Sequence, residues 1–461
     1  MRIGLITICL FLLFSGTKAQ EVYTLQEYLE QLEENHPVAK TAGLRIDQMA
    51  SKVLAGKGIF DPTLTYNQDK KTLDGTSYYN HSNPELKVLT PVGIRVKAGI
   101  ENNTGKYLNP ELTNGVMSYA GVEIPVLKGL LIDEQRAALQ MARIMESQSE
   151  VERRAALNRL YEQAIETYVD WAGYYLVLGQ LRDNFLRAQE YFSLTKNLFE
   201  NGDKSAADTT EAYSQVLAMR VQLAETQMNF QKAGVELSYY LWNEQGSPYL
   251  INPAWIPQTY FFERLPALTP SEELSRALSL HPEVLVYDFK LQGYTLERKL
   301  NFQSMLPELT LKANVLSKDY YRFESAVNPY LGNNNKFGLS FKAPLFMREG
   351  RGKYQYAELK IQETEWERRQ KRWMLNSKIM SLQQKLTGLQ NQIQLSEDLV
   401  ISYQRMLDFE TMKFQQGDAS LFVINSRQNK LIESLIKLQK TKTDYLKTWY
   451  KQQAESGLLY Q

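Results

Sequence analysis

The chain of 461 residues holds a single cysteine, Cys9, and only three histidines. One thiol cannot build a disulfide framework or a multi-cysteine metal site. Charge of one sign is also missing: 53 basic residues stand against 52 acidic ones, so the basic footprint of a nucleic-acid binder is absent. Beyond the first twenty residues no stretch of eighteen apolar residues occurs, and no transmembrane helix is expected. There is no phosphate-cradling P-loop and no nucleophile elbow, which leaves nucleotide hydrolysis and serine-hydrolase chemistry without a motif. Proline is missing from residues 126–247 and 345–461, though the chain has fifteen. Long proline-free stretches permit long helices.

What is present begins with a targeting signal. "MRIGLITICLFLLFSGTKA" has one early basic residue, a short apolar run and a small-residue end at Ala19. It reads as a signal peptide over residues 1–19, too short to span a bilayer. Cys9 is expected to leave with it, and "LITIC" lacks the small residues that precede a lipidated cysteine. An exported chain without disulfides must draw its stability from packing. Its aromatic residues are mostly tyrosine, 28 in all, which suits a polar surface or a membrane interface.

Two of the three histidines, His36 and His281, sit directly before prolines, Pro37 and Pro282. Shifting the sequence by 245 positions also pairs Thr24 with Thr269, Glu27 with Glu272, Leu29 with Leu274, Pro62 with Pro307, and Leu64-Thr65 with Leu309-Thr310. Such ungapped recurrence marks an internal repeat. "TLQE" and "TPSE" each read as a capping box, with Pro270 expected at the first helical position. The histidines therefore belong to a duplicated structural unit; a metal or acid–base role would not explain why the flanking residues recur.

The apolar pattern is helical over long stretches. From Leu157 the spacing alternates three and four through Leu160, Ala164, Thr167, Trp171, Tyr174, Leu178, Leu181, Phe185, Ala188, Phe192, Thr195 and Phe199. The second half repeats it from Leu375 through Ile379, Leu382, Leu386, Leu389 and Ile393 to Phe414. Such seams are coiled-coil signatures. A helix over about 130–201 would be roughly 105 Å long at 1.5 Å per residue. Both end on a matching signal, "FENGDKSAAD" at 199–208 and "FQQGDASLFV" at 414–423. Glycine suits the left-handed residue that stops a helix, and the following serine can start another. Return helices are expected over about 205–241 and 420–455.

Between these hairpins and the opening helices the period changes to two. "PELTLKANVL" (307–316), "KFGLSFKAPLF" (336–346), "DPTLTYN" (61–67), "GIRVKAGIE" (93–101) and "YAGVEIP" (119–125) alternate apolar and polar residues. Alternation over about ten residues is what a membrane β-strand presents, one face to lipid and one to a polar lumen. A half-buried soluble hairpin would look the same strand by strand; the duplicated context favours the membrane.

Each half thus reads helix, strand–loop–strand, long helix, glycine tip, return helix. This resembles the TolC family of outer membrane efflux proteins, over residues 21–455. "NHPVAK" and "LHPEVL" resemble its Asn-Pro helix start. "VEIPVLKG" and "FKAPLFMREG", around Pro125 and Pro344, resemble its Pro-Leu-Phe–Gly motif, with Val126 departing from leucine. The two tips resemble its Phe-x-x-Gly turns. The resemblance implies an α+β fold: long antiparallel coiled-coil hairpins plus transmembrane strands, internally duplicated, in a trimeric α/β-barrel tunnel. Four strands per chain would close a shared twelve-stranded barrel. Independently, four strands are too few to close a barrel alone, and an open sheet edge is not tolerated in lipid.

The expected organisation is a signal peptide (1–19), a first repeat (20–241) with strands in 61–125, a linker or equatorial segment (242–268), and a second repeat (269–461) with strands in 307–346. One departure stands out. Pro62 to Pro125 is 26 residues longer than Pro307 to Pro344. The surplus, within 69–115, includes further strand-like sequence, "ELKVLTPVGIRVKAG". Extra spanning strands must come in pairs, so either the barrel is larger than the family norm or the insert folds outside the bilayer.

The resemblance further implies a passive exit duct in the outer membrane, part of a tripartite efflux or type I secretion system. Its partners would be two further copies of the chain, a periplasmic adaptor, an inner-membrane transporter and outer-membrane lipid, with no nucleic acid and no cofactor. The tips at Gly202, Asp203, Gly417, Asp418 and Leu421 would dock the adaptor. In the family, acidic residues six and nine positions past the second-tip glycine line the entrance; here those positions hold Val423 and Ser426. The same offsets from the first tip hold Asp208 and Glu211, the candidate gate, although acids at a helix start are common for reasons of the helix dipole alone. Two rival readings are carried forward: a periplasmic adaptor-type coiled-coil protein, and a periplasmic metallohydrolase using His36 and His281.

Overall fold

The computed structural model describes residues 21–109, 111–318, 334–416, 418 and 420–460. The expected signal peptide and the tip residue Gly417 lie outside the described residues. In chain order the elements are β1 (Glu21–Tyr23), α1 (Leu25–Asn35), α2 (Pro37–Lys57), a 3-10 turn (Gly58–Phe60), β2 (Thr63–Leu73), β3 (Thr76–Leu89), β4 (Arg95–Thr104), β5 (Gly115–Pro125), α3 (Glu134–Glu200) and α4 (Ala206–Ser238). Then come β6 (Trp255–Pro257), α5 (Tyr260–Glu263), α6 (Ser271–Ser279), α7 (Pro282–Gln303), β7 (Glu308–Ser317), β8 (Asn335–Lys342), α8 (Arg348–Gln415) and α9 (Leu421–Ser456). The fold is α+β. Helices of 67 and 68 residues, α3 and α8, occupy the two proline-free stretches.

Two compact units divide the chain, and each draws segments from both halves of the sequence. One comprises the chain up to Lys40, Ala156–Ala277 and the chain from Asn376; the other comprises Thr41–Ala155 and Leu278–Leu375.

In the first unit the heptad seam is the core. Leu157, Leu160, Ala164, Trp171, Leu178, Leu181 and Ala188 are all almost fully buried. Tyr174 and Phe199, at seam spacing, are exposed instead. Around Trp171 the core broadens to take in Tyr28, Tyr168, Leu237 and Leu241. The Tyr168 hydroxyl donates to the Tyr23 carbonyl (2.5 Å) and accepts from the Gln258 N–H (3.0 Å), so burial leaves neither function of that group unmet. The 242–268 segment is built into this core. Strand β6 pairs parallel with β1, Trp255 stacks on Tyr23 at 4.4 Å, and Phe262 is buried.

The two expected capping boxes part company. Thr24 forms one: its hydroxyl accepts from the Glu27 N–H (3.1 Å), and the Glu27 carboxylate accepts from the Thr24 N–H (2.8 Å). Thr269 does not. Its hydroxyl accepts from Gln453 Nε2 (2.6 Å), a buried amide that needs a partner in the core. Helix α6 accordingly starts at Ser271, and Pro270 precedes it rather than opening it.

The second unit contains a six-stranded sheet, ordered β2-β3-β4-β5-β7-β8 with every neighbour antiparallel. The first half of the chain contributes four of these strands and the second half two. The surplus in 69–115 is therefore strand within the same sheet, and the implied four strands per chain become six. Asp74 (φ 48°) and Gly75 (φ 72°) join β2 to β3 with both central residues left-handed, the two-residue turn whose twist matches a hairpin. At the next corner Thr90 receives the Gly93 N–H (2.9 Å) and bonds Ile94 in both directions.

Candidate functional site

Strand register sorts the sheet's side chains into two faces. One face carries Leu64, Leu86, Ala98, Ala120 and Val315 along a single rung, and Val88, Val96, Val122, Ala313 and Phe337 along the next. Leu311 and Leu339, then Leu309 and Phe341, extend it. Four of these apolar residues are strongly exposed: Leu64 75%, Phe337 69%, Leu339 61% and Phe341 65%. A water-facing surface of this kind would be a liability. Strands of 8 to 14 residues bracket the length that crosses a hydrocarbon layer when tilted.

The opposite face is polar and internally bonded. Lys97 pairs with Glu123 at 3.0 Å, both side chains only 15% exposed. The Tyr119 hydroxyl donates to Glu85 (2.7 Å) and approaches Asn83 (3.2 Å). To get there the ring lies across Gly99, where a Cβ would come within 2.6 Å of the hydroxyl oxygen. Gly121 makes the same kind of space for Asn314 and for the Ala313 carbonyl, 2.7 Å from a Cβ placed there. Glycine in these strands thus marks where large polar side chains reach over a neighbouring strand. Pro125 ends β5 opposite Thr310, and Pro344 follows β8 in an exposed turn with Leu345 and Phe346.

Among the described residues no strand pairs with the outer side of β2 or of β8. Among those residues, too, no helix is long and apolar enough to cross a membrane. The apolar face belongs to the strands.

At the first helical tip, Gly202 sits at φ 85°. Its N–H bonds the Phe199 carbonyl (2.9 Å), and the Asp203 N–H reaches back to Leu198 (2.8 Å), the paired bonds of a Schellman stop. A β-branched residue would resist that backbone. At the second tip the Asp418 N–H makes the equivalent bond to Lys413 (2.9 Å). Leu421, the first residue of α9, is buried (3% exposed), so it supports that tip from inside; its neighbour Phe422 is the exposed one. Lys204 lies 5.1 Å from the centre of the Phe414 ring, which links the two tips.

Asp208 completes a capping box. Its carboxylate accepts from the Ser205 hydroxyl (2.8 Å) and the Ser205 N–H (3.0 Å), while the Ser205 hydroxyl oxygen accepts from the Asp208 N–H (3.2 Å). The hydroxyl and amide donors hold its pKa below the usual carboxylate range. Glu211 is half-buried in the following turn. The structure thus gives Asp208 a capping role that sequence reasoning admitted as its ordinary explanation, and the two acids share one end of α4.

The histidines are caps as well. His36 Nδ1 accepts from the Val38 N–H (3.2 Å) at the start of α2, and His281 Nδ1 accepts from the Glu283 N–H (3.1 Å) at the start of α7. Both are buried. His36 stacks on Tyr240 at 5.9 Å, and burial pushes its pKa below the ordinary histidine value. Each imidazole spends a lone pair on a helix start, and Pro37 and Pro282 follow where their missing N–H does no harm.

No protein-family model matches the chain, and no curated protein matches it in sequence. Solved structures do. The CmeC outer membrane channel of Campylobacter jejuni is 14% identical, with 95% of this chain and 86% of that one covered and a TM-score of 0.60. The outer membrane protein VceC of Vibrio cholerae is 14% identical over 94% of this chain and 96% of that one, with a TM-score of 0.62. The MtrE outer membrane channel of Neisseria gonorrhoeae, in its open state, is 14% identical over 94% and 89%, with a TM-score of 0.61. The chain has the fold of these outer-membrane channels. At such low identity the backbone is what is shared, and the side chains described above are this chain's own.

Proposed function

We propose that this protein is the outer-membrane exit duct of a tripartite efflux or type I secretion system, passing solutes or polypeptide from periplasm to exterior without chemistry of its own. The carrying observation is the two-faced sheet: exposed leucine, valine and phenylalanine on one side, bonded polar groups on the other, and two edges without a partner strand among the described residues. Lipid is the solvent that suits the first face, and further copies of the chain are what suits the edges, because unpaired backbone groups are not tolerated in hydrocarbon. Three copies form the duct in this reading. The signal peptide exports the chain, and the long hairpins stand in the periplasm. The tips at Gly202, Asp203, Gly417 and Asp418 meet a periplasmic adaptor joined to an inner-membrane transporter, with Leu421 holding the second tip firm. Asp208 and Glu211, repeated around the axis, form the acidic entrance ring. The likeness of fold to outer membrane channels supports this over an adaptor or a metallohydrolase, as does the capping use of both histidines. Membrane fractionation with crosslinking, followed by conductance in planar bilayers, tests it. An oligomer in the outer-membrane fraction that conducts ions is expected; a soluble monomeric chain would overturn it.

A further inference from the structure

We infer that all six strands of each copy belong to the membrane barrel, so that the trimeric duct closes on eighteen strands rather than twelve. The inference rests on the duct reading above. Strand β2 leaves the 3-10 turn that ends α2, and β3 returns through the tight Asp74-Gly75 turn. The next corner, Thr90 to Gly93, lies against the base of α3: a Cβ on Gly93 would fall 2.8 Å from the Arg136 guanidinium, which also bonds Asp133 (2.9 Å) and the Leu130 carbonyl (3.2 Å). The extra hairpin therefore runs the full way out and the full way back, and does not end part-way.

Both faces also continue across the added hairpin. Leu86 and Val88 on β3 and Val96 and Ala98 on β4 sit in register with Ala120 and Val122 on β5. The polar face is equally continuous, since the Lys97–Glu123 pair joins β4 to β5 and the Tyr119–Glu85 bond joins β5 to β3. A hairpin folded outside the bilayer would have no use for that apolar register.

The edges fit as well. Strand β2 runs away from the helices and β8 runs back toward them, so β8 of one copy meets β2 of the next antiparallel, like every other pair in the sheet. With strands about 4.8 Å apart and tilted about 40°, eighteen strands give a backbone diameter of about 36 Å, against about 24 Å for twelve. The barrel is then a wide outlet, and size selection falls to the helical part of the duct.

Paired cysteines test this, on a chain whose only cysteine, Cys9, lies in the expected signal peptide. Phe337, Leu339 or Phe341 on β8 is changed to Cys together with Leu64, Tyr66 or Gln68 on β2. A parallel panel pairs the same β8 positions with Val96, Ala98 or Ile100 on β4. All lie on the apolar face, and several registers are sampled so that one poorly assembling pair is replaced by its neighbour. Oxidation of outer membranes should give a ladder ending at trimer for the β8–β2 panel and none for the β8–β4 panel. A β8–β4 ladder in an outer-membrane trimer would place the extra hairpin outside the barrel and overturn the inference while leaving the duct intact. A trimer in which neither panel crosslinks would overturn it too, as would a ladder closing at dimer. Absence of any outer-membrane oligomer would overturn the duct itself.

Discussion

Replacing Leu181 with Ala should loosen the α3–α4 pairing more than replacing the larger Phe185. Leu181 is 1% exposed and packs in a cluster with Ala188, Val216, Met219 and Ile432, whereas Phe185 lies at its half-buried margin. Leucine to alanine removes three buried carbons, about 2.4 kcal/mol at about 0.8 kcal/mol each, and the cavity left behind brings the loss to about 3–4 kcal/mol. A fully buried Phe→Ala change would cost about 3–5 kcal/mol, so half burial brings Phe185→Ala to about 2 kcal/mol. Native-state hydrogen exchange in detergent reads this locally, through the amides of residues 177–192 and 215–223. A loss of 3 kcal/mol should speed their exchange about 150-fold, since about 1.4 kcal/mol is tenfold. The exposed Asp183, changed to Ala, should stay within about 0.5 kcal/mol of the parent. If Leu181→Ala speeds exchange less than about fivefold, or Phe185→Ala exceeds it, this burial order is wrong.

The His36 cap should make the first unit acid-sensitive. The folded state favours the neutral ring, so its contribution is complete above the ordinary histidine pKa of about 6.5 and declines as pH falls below it toward the lowered folded value. The gap between unfolding midpoints at pH 8 and pH 5 should be smaller for His36→Asn, which keeps a side-chain acceptor without the titration, than for the parent; His36→Ala should lose about 1 kcal/mol at pH 8. At the proposed entrance, Asp208→Asn with Glu211→Gln should weaken cation selectivity and trivalent-cation block in planar bilayers while an amide oxygen at 208 can still cap α4, and unaltered selectivity would remove the pair from the lumen. The parent's selectivity should also persist in mild acid, because the Ser205 donors keep Asp208 ionised below the usual carboxylate range. In the sheet, Gly121→Val should abolish assembly of the proposed oligomer, read by crosslinking of outer membranes, as its Cβ would press on the Ala313 carbonyl, whereas Gly338→Val, with nothing nearer than 3.6 Å, should assemble.

The helices were legible because a three–four alternation sustained over many turns has no other physical use, and α3 and α4 begin and end within a few residues of the expected bounds. Individual seam positions were less so. Tyr174 and Phe199 have the right spacing and are exposed, since spacing says which face a residue is on but not where its partner helix lies. The strands were legible one at a time from alternation, and "ELKVLTPVGIRVKAG" was recognisably strand. Its membership of the sheet was not, because that sheet is completed by pairing β5 with β7, up to about two hundred residues apart, which leaves no local mark. Thr269 illustrates the same limit: its motif matched Thr24, yet a buried glutamine from α9 claimed the hydroxyl. The gate stayed open because Asp208 satisfies a local rule, the helix cap, whatever it does toward a lumen.

The turn at Asp74-Gly75 and its counterpart at Thr90 to Gly93 carry a consequence for how such ducts can diverge. A sheet whose first strand departs from the helices and whose last returns to them can lengthen only by whole hairpins. In the proposed trimer, one short tandem insertion in a single gene then enlarges the circumference by six strands in a single step. Outlet width in this architecture is graded in large increments, and between them evolution has only the side chains of the inner wall to adjust.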